Sequence, residues 1–150
     1  MSDINEAMIF SAGFGKRMHP LSTKVPKPLL KVNGKPIISY IIEDLINLNF
    51  KNIVINTHHL SERFHDELKP YSRTIKIVFE EEILDTGGGF LNAIKRNYFS
   101  NLKSPKVLIN GDVLWKKTVN SPIKNILRNW NEEKMDLLLC FIKKRYFFGY

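Results

Sequence analysis

Short apolar runs and amphipathic helical segments take turns along this chain, and that alternation narrows the possible folds more than any other feature. Residues 7–12 (AMIFSA), 52–57 (NIVINT), 75–79 (IKIVF), 106–110 (KVLIN) and 136–142 (DLLLCFI) are rich in Ile, Val and Leu and bounded by polar residues or glycine. Runs of this length and composition read as strands buried on both faces. Behind Pro36, the residues Ile38, Ile41, Ile42 and Leu45 fall at i, i+3, i+4 and i+7, the apolar stripe of a helix. Ser61 is placed to cap a shorter helix carrying Phe64 and Leu68, which Pro70 stops. Leu91, Ile94 and Tyr98 mark a third helix after Gly87-Gly88-Gly89, and Ile123, Ile126, Leu127 and Trp130 a fourth after Pro122. Five such runs separated by four helices, without repeats or low-complexity linkers, predict an α/β fold, a Rossmann-like, doubly wound and mainly parallel sheet with helices on both faces.

Composition decides what remains. A chain of 150 residues, 43% of them hydrophobic, has the material for one domain spanning 1–150 and not for two. No apolar run approaches the ~18 residues of a membrane span, and MSDINEAMIF lacks the pattern of a signal peptide, so a cytoplasmic protein with no membrane partner is expected. Cys140 lies inside the fifth apolar run and reads as a buried, inert thiol. The net charge of +8 invites a nucleic-acid partner, yet the 23 basic residues are scattered. Lys116-Lys117 and Lys143-Lys144-Arg145 lack interleaved aromatic platforms, so no nucleic-acid partner is expected.

In a doubly wound sheet, ligands bind beyond the carboxyl ends of the strands. Three segments there carry chemistry. After the first run stands Ala12-Gly13-Phe14-Gly15-Lys16-Arg17, where two glycines allow close backbone approach and Lys16 and Arg17 add charge, an arrangement suited to a triphosphate and equally to an ordinary tight turn. It is neither a dinucleotide fingerprint, since Met18 replaces the third glycine, nor a Walker A loop. Pro26 and Pro28 flank Lys27 and limit the entropy of presenting its ammonium to an anion. Thr86-Gly87-Gly88-Gly89 opens a helix with free N–H groups, as a ligand loop or a hinge would. Asp112 follows the fourth run across Gly111, as a hard oxygen ligand or a turn residue. His58-His59 lacks a third metal ligand and reads as a hydrogen-bonded loop pair, and Glu80-Glu81-Glu82 as a solvated loop.

Taken as a whole, AGFGKRMHPLSTKVPKPLLKVNGKPII resembles the signature of the sugar-1-phosphate nucleotidyltransferases, a Gly-x-Gly-x-Arg-Met start followed by Pro-Leu-Ser/Thr and Pro-Lys-Pro-Leu. Asn56-Thr57-His58-His59-Leu60, Leu84-Asp85-Thr86-Gly87-Gly88-Gly89 and Asn110-Gly111-Asp112 extend the likeness down the chain. The form LDTGGG looks most like the N-acetylmuramate-1-phosphate uridylyltransferases, and less like the mannose-1-phosphate guanylyltransferases, which favours UTP over GTP.

The resemblance implies the nucleotide-diphospho-sugar transferase fold and a reaction in which the sugar 1-phosphate attacks the α-phosphorus of an NTP. It implies that Ala12, Gly13, Gly15, Lys16, Thr86 and Gly87 bind the nucleotide, that Arg17 and Lys27 stabilise phosphate charge, and that Asp112 holds Mg²⁺. One departure matters: members of the family run further, with a second metal-binding aspartate and much of the sugar pocket in that part, whereas this sequence stops at Phe148-Gly149-Tyr150. The expectation is therefore a chain incomplete at its C-terminus, active or surviving as a nucleotide-binding remnant, with a homodimer as one way to cover an open sheet edge.

Overall fold

The computed structural model describes residues 4–115 and 121–141. The two basic clusters, Ile142 and the final Phe148-Gly149-Tyr150 lie outside the described residues. By their internal contacts, residues 1–114 and 115–150 form two compact units. The first unit runs β1 (Glu6–Phe10), a short hairpin of β2 (Lys31–Val32) and β3 (Lys35–Pro36), α1 (Ile37–Asn47), β4 (Asn52–Thr57), α2 (Ser61–Glu67), β5 (Ile75–Phe79), α3 (Asp85–Lys95) and β6 (Val107–Asn110). In the second, α4 (Pro122–Asn129) starts on the side chain of Ser121, whose hydroxyl accepts a hydrogen bond from the Lys124 amide at 3.1 Å.

Four strands make one parallel sheet in the order β5-β4-β1-β6, with Met8 of β1 in register with Val54 on one side and Leu108 on the other. Ala7, Met8, Ile9, Ile53, Val54 and Ile55 are fully buried, as unbroken apolar runs in central parallel strands should be. The expectation of two buried faces fails at the margins. β5 and β6 are edge strands among the described residues, and Phe79 and Leu108 are exposed there because only one neighbour shields each strand.

α1 matches its stripe: Ile38, Ile41, Ile42 and Leu45 are all buried. Asn49, at φ 66°, takes the left-handed position that ends it. The Asn33-Gly34 pair, with φ 50° and 77°, makes the two-residue hairpin turn between β2 and β3.

Four expectations need correcting. Residues 136–141 form no strand, because a strand exists by pairing and no described segment pairs with them. Cys140 is consequently exposed. Ser61 is the first residue of α2 and caps nothing; its hydroxyl lies 2.7 Å from that of Thr57, and Leu60, at φ 54°, makes the entry. Finally, α3 contains the three glycines instead of following them, and it packs through Gly89, Phe90, Ala93 and Ile94, leaving Leu91 exposed.

Candidate functional site

From β1 the chain steps outward to β4 and then β5, and afterwards returns to add β6 on the other side of β1. The strand order therefore reverses between β1 and β6, and the crevice beyond the carboxyl ends of such a pair is where a doubly wound sheet takes its ligand. Here the two strand-end loops are fastened together. The Gly111 amide donates to the Phe10 carbonyl at 2.8 Å. A Cβ on Gly111 would run into the Ser11 hydroxyl and stand 2.9 Å from the Phe10 oxygen, so only glycine lets the loops lie this close.

The loop after β1 turns at Gly15, whose φ of 62° is left-handed. A Cβ there would press on the Cβ atoms of Lys27 and Ser22, each at 3.2 Å, and the Ser22 hydroxyl donates to the Gly15 carbonyl at 2.8 Å. Thus the glycine turn is packed directly onto the segment that bears Lys27. Pro26 and Pro28 are buried, and a single turn over Lys27–Leu29 closes with the Leu29 amide on the Pro26 carbonyl at 2.8 Å. The backbone of Lys27 is fixed on both sides, and its ammonium donates to Asp112 Oδ2 at 2.6 Å.

Phe10, Ser11, Gly13, Gly15, Lys27, Pro28, Asn110 and Asp112 line a cleft of about 210 Å³. Of the residues singled out in the sequence, the structure brings Gly13, Gly15, Lys27 and Asp112 together in it. Ala12 is buried beneath the loop. Lys16 turns instead to a neighbouring hollow lined also by Phe14, His19, Ser22, Thr23 and His59, with its ammonium 5.7 Å from the centre of the Phe14 ring. Arg17 is exposed on the turn Lys16–Met18 and has no partner among the described residues. Thr86 and Gly87 are exposed in the first turn of α3.

Behind the cleft lies a group that the sequence reading missed. Asn56, at the end of β4, accepts the Ser11 amide on Oδ1 at 2.8 Å and donates from Nδ2 to Glu80 Oε1 at 2.9 Å. Glu80 Oε2 accepts the Leu84 amide at 3.3 Å. Glu80 is only 2% exposed, so the acidic triplet is no uniform solvated loop: Glu81 and Glu82 face outward and Glu80 faces in. Three identical residues carry no signal for which one is buried. Only the fold shows the close fit at Gly89, where a Cβ would sit 2.7 Å from Glu80 Oε1 and 2.9 Å from Asn56 Nδ2. His58 is a hydrogen-bonded loop histidine, its Nδ1 2.8 Å from the Glu80 carbonyl; since a carbonyl only accepts, Nδ1 carries the proton. Phe14 stands edge-on to His58 with ring centres 5.3 Å apart.

At the opposite end of β1, Glu6 is buried among donors. It accepts hydrogen bonds from Asn52 Nδ2 at 2.7 Å, the Ser100 amide at 2.8 Å and the Ser100 hydroxyl at 2.7 Å, with the Lys106 ammonium 3.2 Å away. Burial alone would raise its pKa, but the Ser100 amide leads a set of hydrogen bonds that outweighs burial and holds the carboxyl at about 2.

Residues 6–146 match the nucleotidyl transferase family model. The chain is 28% identical over 139 residues to an N-acetylmuramate alpha-1-phosphate uridylyltransferase of Caulobacter vibrioides, covering 89% of this chain and 56% of that protein. It is 38% identical over 113 residues to the protein of that name in Neisseria meningitidis, covering 73% and 47%. Among solved structures, the CTP:phosphocholine cytidylyltransferase of Streptococcus pneumoniae superposes with a TM-score of 0.58 at 29% identity, covering 73% of this chain and 46% of that one. The chain thus spans about half the length of the curated relatives it matches.

Proposed function

Because the chain belongs to the nucleotidyl transferase family, we propose that it binds a nucleoside triphosphate in the cleft between β1 and β6 and transfers its nucleotidyl group to a sugar 1-phosphate, releasing pyrophosphate. The observation that carries this reading is the convergence of Gly13, Gly15, Lys27 and Asp112, from three separate stretches of sequence, on one cleft at the point of strand reversal.

The chemistry asks little covalent work of the protein. An oxygen of the sugar phosphate forms a bond to the α-phosphorus, and the bond from that phosphorus to the bridging oxygen breaks, the oxygen leaving with pyrophosphate. The backbone at Gly13 and Gly15 lies along the triphosphate, with the Ala12 amide beside it. Lys27, now held by Asp112, exchanges one anionic oxygen for another as a phosphate enters. Arg17 and Lys16, both exposed on the turn that follows the glycine loop, meet the departing pyrophosphate, and Thr86 and Gly87 meet the base.

Asp112 fits a magnesium ion that arrives with its nucleotide. It offers one partly exposed carboxylate in the cleft, and no group of three metal-ligating side chains exists among the described residues. That donor set suits Mg²⁺, which keeps several waters and takes most of its remaining ligands from substrate phosphates. When bound, the ion would neutralise phosphate charge as the leaving group departs.

UTP is the nucleotide proposed. The LDTGGG stretch and the two uridylyltransferase relatives support it, and the cytidylyltransferase neighbour makes CTP the comparison to run beside GTP. The test is pyrophosphate release from UTP, CTP or GTP with Mg²⁺ and a panel of sugar 1-phosphates. Release with one nucleotide and one sugar phosphate supports the reading. Nucleotide binding without release would leave a binding module, and neither binding nor release would remove the site.

A further inference from the structure

Asn56 and Glu80 lie outside the cleft and far apart in sequence, yet they connect two loops that the proposed function needs at once. Ser11 opens the glycine loop after β1, and Leu84 leads into the turn that carries Thr86 and Gly87. The Ser11 amide can only donate, which assigns Oδ1 of Asn56 as its acceptor and aims Nδ2 at Glu80. Glu80 must then accept twice, from Asn56 and from the Leu84 amide. Every bond in the chain has a fixed direction: Ser11 to Asn56, Asn56 to Glu80, Leu84 to Glu80. Both side chains are buried, and α3 closes over them at Gly89, where no Cβ fits. Neither can turn to water when its partner is lost.

We propose that the Asn56–Glu80 pair is a strut that holds the glycine loop and the start of α3 in one fixed relation, and thereby sets how tightly the protein binds nucleotide. Asn56 and Glu80 are positioning residues, acting through the Ser11 and Leu84 amides. The second half of this statement rests on the nucleotide reading above; the first half stands on the hydrogen bonds alone.

The directionality supplies the test. Glu80→Gln leaves a donor facing either the Leu84 amide or the Asn56 amide, whichever way it turns, and Asn56→Asp sets two carboxyl groups against each other. The double variant N56D/E80Q reverses the central bond and keeps the rest. Its side-chain amide at position 80 donates to the carboxylate at position 56 and accepts from the Leu84 amide, while that carboxylate still accepts from Ser11. Amide hydrogen exchange on the full chain without ligand should show Ser11 and Leu84 exchanging about tenfold faster or more in each single variant, with the β1–β4 ladder unchanged, and near wild-type rates in the double variant. Ser11 protection unchanged in Glu80→Gln, or a double variant as fast as the singles, overturns the strut.

Calorimetric titration with UTP, CTP and GTP in Mg²⁺ then reads the second half: affinity falls about tenfold or more in the singles and returns in the double. If wild type binds a nucleotide and the singles bind it equally well, the strut does not set the site and the proposal fails. If wild type binds none while the exchange pattern holds, the nucleotide reading has failed and the strut has been confirmed.

Discussion

Lys27 Nζ lies 2.6 Å from Asp112 Oδ2, across 85 residues of sequence and between two loops at the reversal of strand order. The pair joins the proline-flanked turn to the end of β6, with 28% and 35% of the two side chains exposed. A pair this wet contributes about 0–1 kcal/mol to folding. Its position in the cleft therefore explains it better than its strength does.

Lys27→Ala and Asp112→Asn should each shift the melting temperature by less than about 4 °C, as expected from losing under 1 kcal/mol in a chain this long. On the proposed reading, pyrophosphate release should fall about a hundredfold or more, because Lys27→Ala removes the cation placed for a phosphate and Asp112→Asn weakens the ligand placed for Mg²⁺. Melting curves and a steady-state pyrophosphate assay check the two halves separately. Turnover surviving in Asp112→Asn would end the case for Asp112 as the magnesium ligand.

Gly13→Ala separates ligand approach from folding. Nothing stands within 4 Å of a Cβ built at Gly13, and its φ is not positive. The fold should accept alanine, gaining about 0.4–1 kcal/mol through the lost freedom of the unfolded chain. The new methyl group would meet a triphosphate lying along the loop, so nucleotide affinity should drop about tenfold while the melting temperature holds or rises. Equal affinity in titrations of the two proteins would show that the phosphates lie elsewhere.

The sheet was legible where the sequence repeats one physical demand. The runs at 52–57 and 75–79 coincide with β4 and β5, and the stripe Ile38, Ile41, Ile42, Leu45 coincides with the buried face of α1. Composite motifs singled out the glycine loop, Lys27 and Asp112, and the structure brings Gly13, Gly15, Lys27 and Asp112 to one cleft. What stayed hidden depends on contacts made at a distance. Gly89 reads as part of a loop until Asn56 and Glu80 arrive from β4 and β5 to occupy the space of its Cβ. Leu137, Leu139 and Phe141 read as a buried strand because hydrophobicity was counted without asking which strand would pair with them; all three are exposed.

Glu6 ties stability to acid. Its carboxyl is held at about 2 against an ordinary value of 4.5, so the folded state favours the ionised form. A lowered folded pKa gives stabilisation that is complete above about pH 4.5 and fades as pH falls through about 2, with an upper size on the order of 3 kcal/mol. Denaturant unfolding between pH 5.5 and 2.5 should show wild type losing stability more steeply than Glu6→Gln, which starts lower at the upper end of that range because Lys106 and the Ser100 donors lose their carboxylate. Parallel slopes for the two proteins would mean that other carboxyl groups carry the acid sensitivity.

Metal should matter to the reaction and not to the fold. Among the described residues no three metal-ligating side chains come together, and on the proposed reading Asp112 would give Mg²⁺ a single carboxylate, already engaged by Lys27. The described residues then offer too few ligands to hold the ion without nucleotide, whereas a triphosphate would bring oxygens that complete its shell. Stabilisation by mass action follows only when both partners are present. Chelator should leave the melting temperature of the free protein unchanged, Mg²⁺ alone should not raise it, and Mg²⁺ with UTP should raise it by several degrees in wild type but not in Asp112→Asn. A rise with Mg²⁺ alone would require a preformed metal site, and the nucleotide could no longer be the carrier of its own ion.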